Sequence, residues 1–292
     1  MNDPQAGLDR LLVELRPRLH RYCARMTGSV IDGEDVLQEA LAKAIEAFPR
    51  VGTISNPEGW LFRIAHNAAL DFLRRRARLE GLHTDADLER IADAGSDIDR
   101  RQAAATSLRT LMRLPVAQRG SVILMDVLGH SLEEVSVVLD TTVPAVKAAL
   151  HRGRIRLREL AAEPDDRPLP ALTELDRRRL AAYVARFNAR DFDALRALLA
   201  DEVKVDVVNR ARLNGRGEAS RYFTNYSQSS DWRLVPGLVE GRPAVLVHHP
   251  DDPSGQPLYF ILLDWTEDRL LNVRDFRYAR YAIDGAELIK AL

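Results

Sequence analysis

The hydrophobic pattern of this chain changes its period once, and that change limits the folds available to it. Up to about residue 160, apolar residues recur at the spacing of amphipathic helices. Beyond residue 200 they gather into short runs typical of strands, at 203–207, 244–247, 258–263 and 270–276. Segment 163–170, between the two parts, holds three prolines and ends any helix. We therefore predict all-helical domains first and an α+β domain after them.

An acidic segment divides the helical part. Residues 80–99 contain seven Asp or Glu residues, opposed only by Arg90, and few large apolar residues that could anchor them. Such a composition predicts a flexible linker. The predicted organisation is thus a multidomain chain with domains at 1–79, 101–162 and 172–292, an acidic linker at 80–100 and a Pro-rich connector at 163–171.

Bulk properties exclude several classes of protein. The net charge is −1, so any nucleic-acid site must be a local basic patch. The single cysteine, Cys23, can form no internal disulfide and suits the reducing cytoplasm. No apolar run approaches the roughly 20 residues that span a bilayer, and the start of the chain lacks a signal-peptide pattern. Scattered histidines give no zinc spacing. We expect a cytoplasmic protein with no metal, no cofactor and no membrane contact.

The second helical block carries a helix–turn–helix pattern at 129–160. Ser131 and Glu134 have the spacing of a capping box, and Thr142 can cap the second helix. That helix turns its apolar residues to one side and leaves a second surface that could enter a major groove. This surface consists of Lys147, Ala148, His151 and Arg152, with Arg154, Arg156 and Arg158 extending its positive charge. The alternative at this point is an ordinary amphipathic hairpin with a solvated basic face.

The first block contains an acidic helix start followed by a basic helix end. Asp32 is a candidate N-cap, with Glu34 and Asp35 in the first turn beside the helix dipole. In the next helix an exposed Asn lies beside a cluster of arginines. Arg can hold phosphates and Asn can read base edges, so this surface is a candidate nucleic-acid contact. Its residues are Arg63, Asn67, Arg74 and Arg75.

Both blocks resemble a known family. The runs DGEDVLQEALAKAIEAFPR and NPEGWLFRIAHNAALDFLRRRAR are similar to region two of sigma-70 family RNA polymerase sigma factors of the extracytoplasmic-function group, and VPAVKAALHRGRIRL is similar to region four. The resemblance implies a factor that binds core RNA polymerase at its clamp and flap and directs promoter-specific transcription initiation without catalysing a reaction.

The resemblance also implies roles for particular residues. Core polymerase would be bound by Asp32, Glu34, Asp35, Gln38 and Glu39. The minus-ten promoter element would be bound by Arg63, Asn67, Arg74 and Arg75. The minus-thirty-five element would be bound by Lys147, Ala148, His151, Arg152 and Arg154. At Ala148 and Ala149 the chain departs from the Ser and Arg that are common in the family, so the base preference cannot be transferred.

The C-terminal part resembles a SnoaL-like domain of the nuclear-transport-factor-two superfamily. The runs RFNARDFDALRALLADEVKVDVV, LYFILLDW and LLNVRDFRYARY carry this likeness, which implies a cone of sheet and helices around a pocket. Some members transfer protons with a pocket Asp or His. The candidates here form no distinctive constellation: Asp206, His248, His249, Asp264 and Asp275. We expect a regulatory domain that contacts the sigma domains, with an unknown small ligand as a further possibility and no catalytic residue.

Two other functions fit parts of the pattern. An ordinary helix–turn–helix transcription regulator with a C-terminal ligand-binding domain would bind duplex promoter DNA unaided. A SnoaL-type enzyme fused to a DNA-binding module would retain turnover after removal of the residues before Leu172. A sigma factor, in contrast, requires core polymerase.

Overall fold

The computed structural model describes residues 4–52, 54–80, 103, 106–163 and 170–291. The chain divides into two compact units, 1–166 and 167–292. The predicted acidic linker lies outside the described residues except for Glu80, and the predicted connector lies outside them except for Glu163, Pro170 and Ala171.

The first unit begins with three long helices, α1 (Pro4–Thr27), α2 (Val30–Val51) and α3 (Pro57–Leu79). Gly28 turns the chain between α1 and α2 with a φ of 80°. A Cβ at Gly33 would lie 2.5 Å from the Cα of Ala24, so this glycine allows the two helices to approach closely. Cys23 is buried in the core of this unit.

The start of α2 differs from the prediction. The helix begins at Val30 with Ser29 as its N-cap, and the backbone N–H of Asp32 donates to Ser29 Oγ at 3.1 Å. Asp32 is therefore inside the first turn of the helix and is not its N-cap. Ser is as good a cap as Asp, and it places the apolar Val30 and Ile31 in the core.

Further helices of the first unit are α4 (Leu108–Met112), α5 (Val116–Val122), α6 (Leu132–Val138) and α7 (Val143–Ala162). A π-helical turn at Ile123–Val127 continues α5. The predicted caps are confirmed: Ser131 and Glu134 form a capping box, and Thr142 Oγ1 accepts from the N–H of Ala145. Asp140, in the turn between α6 and α7, has a φ of 54°.

The two helical groups of this unit share one hydrophobic core. Leu19, Tyr22, Leu37 and Phe62 of α1–α3 belong to the same buried cluster as residues of the later helices, namely Ile123, Leu124, Val135, Val138 and Val146. The buried Arg119 of α5 reaches α1, since its guanidinium donates to the carbonyl of Met26 at 2.5 Å. The same group also donates to the carbonyl of Leu114 at 3.0 Å.

The second unit is α+β, which confirms the predicted class. Its helices are α8 (Glu174–Asn188), α9 (Phe192–Ala197) and α10 (Gly215–Ser227). Its strands are β1 (Leu199–Val207), β2 (Ala211–Asn214), β3 (Arg233–Val239), β4 (Arg242–His248), β5 (Tyr259–Thr266), β6 (Arg269–Asp275) and β7 (Leu288–Lys290). A 3₁₀ turn occupies Arg280–Ile283.

These strands form one sheet of order β2-β1-β6-β5-β4-β3-β7. The pair β1–β6 is parallel and the other pairs are antiparallel. The aromatic core is centred on Phe187, whose ring lies 4.9–6.2 Å from the rings of Trp232, Tyr226, Tyr183, Phe192 and Phe223. The predicted order of helices first and strands afterwards holds only in part, because α10 lies between β2 and β3.

Candidate nucleic-acid and polymerase interface

One face of α7 carries four of the five residues predicted to bind the minus-thirty-five element. Val146 and Leu150 are buried and fix the rotation of the helix. The opposite surface then presents Lys147, Ala148, His151 and Arg152, of which Lys147 is exposed and the other three are half-buried. A cationic helix face of this kind can donate hydrogen bonds to phosphates and base edges.

The fifth residue, Arg154, is not on that face, which corrects the prediction. Its side chain is buried and forms a bidentate pair with the fully buried carboxylate of Asp126, with Nε–Oδ2 at 2.9 Å and Nη2–Oδ1 at 2.6 Å. The pair joins α7 to the π-helical turn. Arg154 lies four residues after Leu150 and three before Leu157, both buried, so its position already placed it toward the apolar side. It positions the helix and is not a DNA contact.

A basic groove beside α7 adds Arg113, which the sequence pattern did not indicate, to two arginines of the predicted surface. Arg113 and Arg156 line it together with Arg152, and the cavity measures about 430 Å³. Arg113 pairs with Glu163 at 2.6 Å and Arg156 with Glu159 at 2.9 Å. Arg152 Nη1 is buried without a hydrogen-bond partner among the described residues. Arg113 lies before the helix–turn–helix pattern, with the whole of α5 between them. No local sequence signal therefore connects it to α7.

The acidic start of α2 is only partly exposed. Glu34 is fully buried and pairs with Arg16 of α1 at 2.7 Å, so its predicted contact with polymerase is wrong. It also accepts from Gln38 Nε2 at 3.3 Å. Asp35 is exposed, whereas Asp32 is half-buried, with an oxygen 3.7 Å from Arg76. The burial of Glu34 leaves Asp35 as the most accessible carboxylate in this turn of α2.

Glu39 and Arg75 lie in contact, although the sequence assigned them to different partners. Arg75 Nη2 donates to Glu39 Oε2 at 2.8 Å, and Lys43 lies 2.8 Å from the other oxygen. These hydrogen bonds from Arg75 and Lys43 lower the pKa of Glu39, so it is ionised at neutral pH. The predicted polymerase surface on α2 and the predicted minus-ten surface on α3 are therefore adjacent.

The predicted minus-ten residues lie along the exposed side of α3. Arg63, Asn67 and Arg74 are exposed. Arg63 is 2.9 Å from the carboxylate of Asp140, in the turn of the helix–turn–helix, and Arg74 is 3.3 Å from Asp71. Exposed pairs of this kind contribute little stability and exchange easily for other anions. The arginines can therefore turn to phosphate at little cost.

A buried histidine supports this side of α3 from beneath. His66 Nδ1 lies 2.7 Å from the hydroxyl of Tyr22, in a hydrogen bond between α3 and α1. Burial lowers the pKa of His66 to about 4, so the imidazole is neutral at physiological pH. His66 is one residue before Asn67 and helps to fix where that amide points.

The five Asp and His candidates of the C-terminal unit are not brought into one site. Asp206 lies near Arg212 and Arg274, Asp264 and His249 are exposed, and His248 is buried on β4. Asp275 is fully buried and accepts hydrogen bonds from the hydroxyls of Tyr222 at 3.0 Å and Tyr226 at 2.7 Å. Burial raises the pKa of Asp275.

No helix among the described residues is both long and apolar enough to cross a membrane. In the described part of the chain, no three or more His, Cys, Asp or Glu side chains are grouped so that they could hold a metal ion.

Comparisons with known proteins give the class of the chain. Residues 11–79 match the model of sigma-70 region 2, and residues 108–157 match the model of sigma-70 region 4. SigG, an ECF RNA polymerase sigma factor of Mycobacterium tuberculosis, is 28% identical over 291 residues, which cover 89% of this chain and 78% of SigG. SigM of the same organism is 32% identical over 154 residues, which cover 53% of this chain and 76% of SigM.

Solved structures also match the chain. The ECF sigma factor SigJ of Mycobacterium tuberculosis is 20% identical and aligns with a TM-score of 0.35. The alignment covers 90% of this chain and 93% of the SigJ chain. An NTF-2 like protein of unknown function from Burkholderia xenovorans is 17% identical and aligns with a TM-score of 0.29. The alignment covers 35% of this chain and 81% of the Burkholderia chain.

The fold and the matched regions define a sigma-70 type transcription factor with an added α+β unit. The chain belongs to the extracytoplasmic-function group of RNA polymerase sigma factors. It is a sigma factor that directs transcription initiation. The presence of region two beside the helix–turn–helix distinguishes it from an ordinary helix–turn–helix regulator.

Proposed function

We propose that this sigma factor contacts polymerase and promoter through three surfaces of its first unit and that its second unit modulates that activity. The observation that carries the proposal is the face of α7 opposite its buried residues, on a helix that is capped by Thr142 and held in place by the Arg154–Asp126 pair. The predicted domain boundaries, 1–79, 101–162 and 172–292, are retained in this proposal, and its setting is the cytoplasm.

The polymerase surface consists of Asp32, Asp35, Gln38 and Glu39. Asp35 is its most exposed carboxylate, and Glu39 lies one helical turn further on, where its ionised carboxylate is held by Arg75 and Lys43. An acidic surface recognises a basic one, and such complementarity fixes the register and speeds association. The expected partner is therefore a basic surface on the clamp of core polymerase, with the flap contacted elsewhere.

The two promoter surfaces use different chemistry. On α3, Arg63, Arg74 and Arg75 hold backbone phosphates, while Asn67 reads base edges of the minus-ten element. On α7, Lys147, His151 and Arg152 enter the major groove at the minus-thirty-five element, and Ala148 provides an apolar contact. The groove formed by Arg113, Arg152 and Arg156 adds phosphate contacts beside the helix.

The second unit acts as a regulator in this proposal. Its helices and seven-stranded sheet enclose an aromatic core of their own, so it can fold around that core independently of the DNA-reading helices. The candidate proton-transfer residues are dispersed over β1, β4, β5 and β6, an arrangement that favours regulation over catalysis.

Replacement of Asp35 tests the polymerase surface. Asp35→Arg is expected to weaken binding of the full chain to purified core RNA polymerase on the order of a hundredfold, because a cation would face a basic surface. Affinity is measured by fluorescence anisotropy with labelled sigma factor. Glu46→Arg, at the exposed far end of α2, is the matched control and should bind normally. Normal binding by Asp35→Arg would overturn the docking assignment.

A further inference from the structure

The second unit contains a cavity that none of the roles above uses. It lies between α10, the β1–β2 hairpin and the segment after β6, and its volume is about 580 Å³. Cavities that hold small organic ligands commonly measure about 300–1,000 Å³. The cavity is therefore large enough for a small metabolite.

The lining of the cavity is cationic. Its ten lining residues, all within the described part of the chain, include Arg210, Arg221 and Arg277 but no Asp or Glu. Arg210 makes no ion pair with any described residue, and its guanidinium lies 5.7 Å from the ring of Tyr278. Arg277 faces Asp231 at 3.4 Å and Arg221 faces Glu218 at 3.7 Å, and these carboxylates lie outside the lining. An anion in the cavity would meet a net positive charge.

The floor of the cavity is held in place by the core beneath it. Tyr222 is 2% exposed, and its hydroxyl donates to Asp275. Arg277 donates its backbone N–H to the same carboxylate at 2.8 Å, and its guanidinium stacks 4.9 Å from the ring centroid of Tyr226. A guanidinium fixed in this way loses little entropy when it binds an oxyanion.

Apart from the amides of Asn225 and Gln228, the remaining lining is apolar. Val207 and Leu213 form one wall, and the half-exposed ring of Tyr278 forms the rim. A free inorganic ion would leave these surfaces unused, whereas a ligand with a flat apolar body would cover them. The lining thus combines a place for an oxyanion with a place for an unsaturated carbon skeleton.

We propose that this cavity binds a small amphipathic organic anion whose carboxylate or phosphate pairs with Arg210 and Arg277 and whose apolar body lies against Val207, Leu213 and Tyr278. Arg pairs with such oxyanions through two parallel hydrogen bonds, which makes it selective for them. Binding at this site does not depend on polymerase or DNA, so it is measured on the full chain alone and is independent of the sigma-factor roles proposed above.

Isothermal titration calorimetry of the full chain tests the proposal with benzoate, phenyl phosphate, inorganic phosphate and benzyl alcohol. At least one of the two aromatic anions should bind with saturation in the millimolar range or below, and the stronger of the two identifies the oxyanion. Benzyl alcohol and inorganic phosphate should bind much more weakly, because each lacks one half of the recognised chemistry. Failure of both aromatic anions to bind, or equal binding of benzyl alcohol, would overturn the proposal.

Variants locate the binding in the cavity. Arg210→Gln removes an exposed guanidinium with no ion pair among the described residues, so the fold should be unaffected while the affinity falls about tenfold, as loss of one charge-assisted hydrogen bond predicts. Arg178→Gln, at an exposed position of α8 away from the cavity, is the matched control and should leave the affinity unchanged. Equal affinities of Arg210→Gln and the unmodified chain would place the ligand elsewhere.

Discussion

At the scale of single residues, two charged side chains have structural roles where the sequence suggested contacts with partners. Glu34 and Arg154 belong to helices whose other charged residues are exposed or half-buried, and the family resemblance placed both at interfaces. Their partners, Arg16 and Asp126, are 18 and 28 positions away along the chain. No local pattern predicts such pairs. The caps at Ser131 and Thr142 were predictable because a cap depends on residues within three positions.

The different roles of Arg154 and Lys147 can be separated by mutation. Arg154→Met leaves the buried carboxylate of Asp126 without its partner and should lower the free energy of unfolding by about 3–5 kcal/mol. Lys147→Ala should leave stability within about 0.5 kcal/mol of the original, because exposed positions contribute little, but should weaken binding to minus-thirty-five DNA. Urea denaturation and promoter binding by the reconstituted holoenzyme measure the two effects. Equal stability of the two variants would contradict the structural role of Arg154.

His66 predicts a dependence of stability on pH. Its pKa is about 4 in the folded chain and about 6.5 when unfolded, so only the unfolded state binds the proton between these values. Stability is full above pH 6.5 and falls as the pH decreases toward 4. From pH 7 to pH 5 this residue should account for a loss of about 2 kcal/mol.

Chemical denaturation at the two pH values measures that loss, with His66→Gln as the comparison. The variant cannot titrate at this position. Its loss of stability from pH 7 to pH 5 should therefore be smaller than that of the unmodified chain by about 2 kcal/mol. An unchanged pH dependence in the variant would mean that another group is responsible.

At the scale of helices and strands, predictability followed the strength of the local pattern. The four predicted strands correspond to β1, β4, β5 and β6, which alternate or are continuously apolar. β3 was missed because Pro236 lies within it. The sheet accepts this proline since β7 pairs only with residues 237–239 of β3, and the carbonyl of Pro236 still accepts from Ala291.

The helix α10 was also missed, because its local sequence does not favour a helix. Its sequence GRGEASRYFTNYS contains two glycines and several aromatic or hydroxyl residues, all poor helix formers. Packing decides its structure, because Tyr222, Phe223 and Tyr226 are buried together only when the segment is helical. The cavity described above depends on this helix, so it could not be foreseen from the sequence pattern.

At the scale of the whole molecule, the two sigma regions of the first unit share one hydrophobic core. The guanidinium of Arg119 connects them through the carbonyl of Met26, within the core that both regions share. Burial lowers the pKa of Arg119 to about 10, which still leaves it charged at neutral pH. The resemblance to the family predicted each region correctly but gave no information about this joint packing.

Removal of Arg119 should separate the two regions. Arg119→Gln shortens the donor and leaves buried carbonyls without a partner, at a cost of about 1–3 kcal/mol. The first unit should then lose the single unfolding transition expected of a shared core and show two, which calorimetry of the full chain can resolve from the transition of the second unit. Arg109→Gln, at an exposed position of α4, should behave as the unmodified chain does. A single transition of unchanged midpoint in Arg119→Gln would show that Arg119 does not couple the regions.

Runoff transcription tests the central claim most directly. Purified core RNA polymerase is supplied with genomic promoter fragments, alone, with the full chain, or with a chain that ends at Glu163. The full chain is expected to produce new start sites that core polymerase alone does not give, and the shortened chain should use the same sites with a changed yield, whose sign gives the direction of regulation. If the full chain produces no specific start site, it does not direct transcription initiation. If the two chains give equal yields, the second unit has no regulatory role.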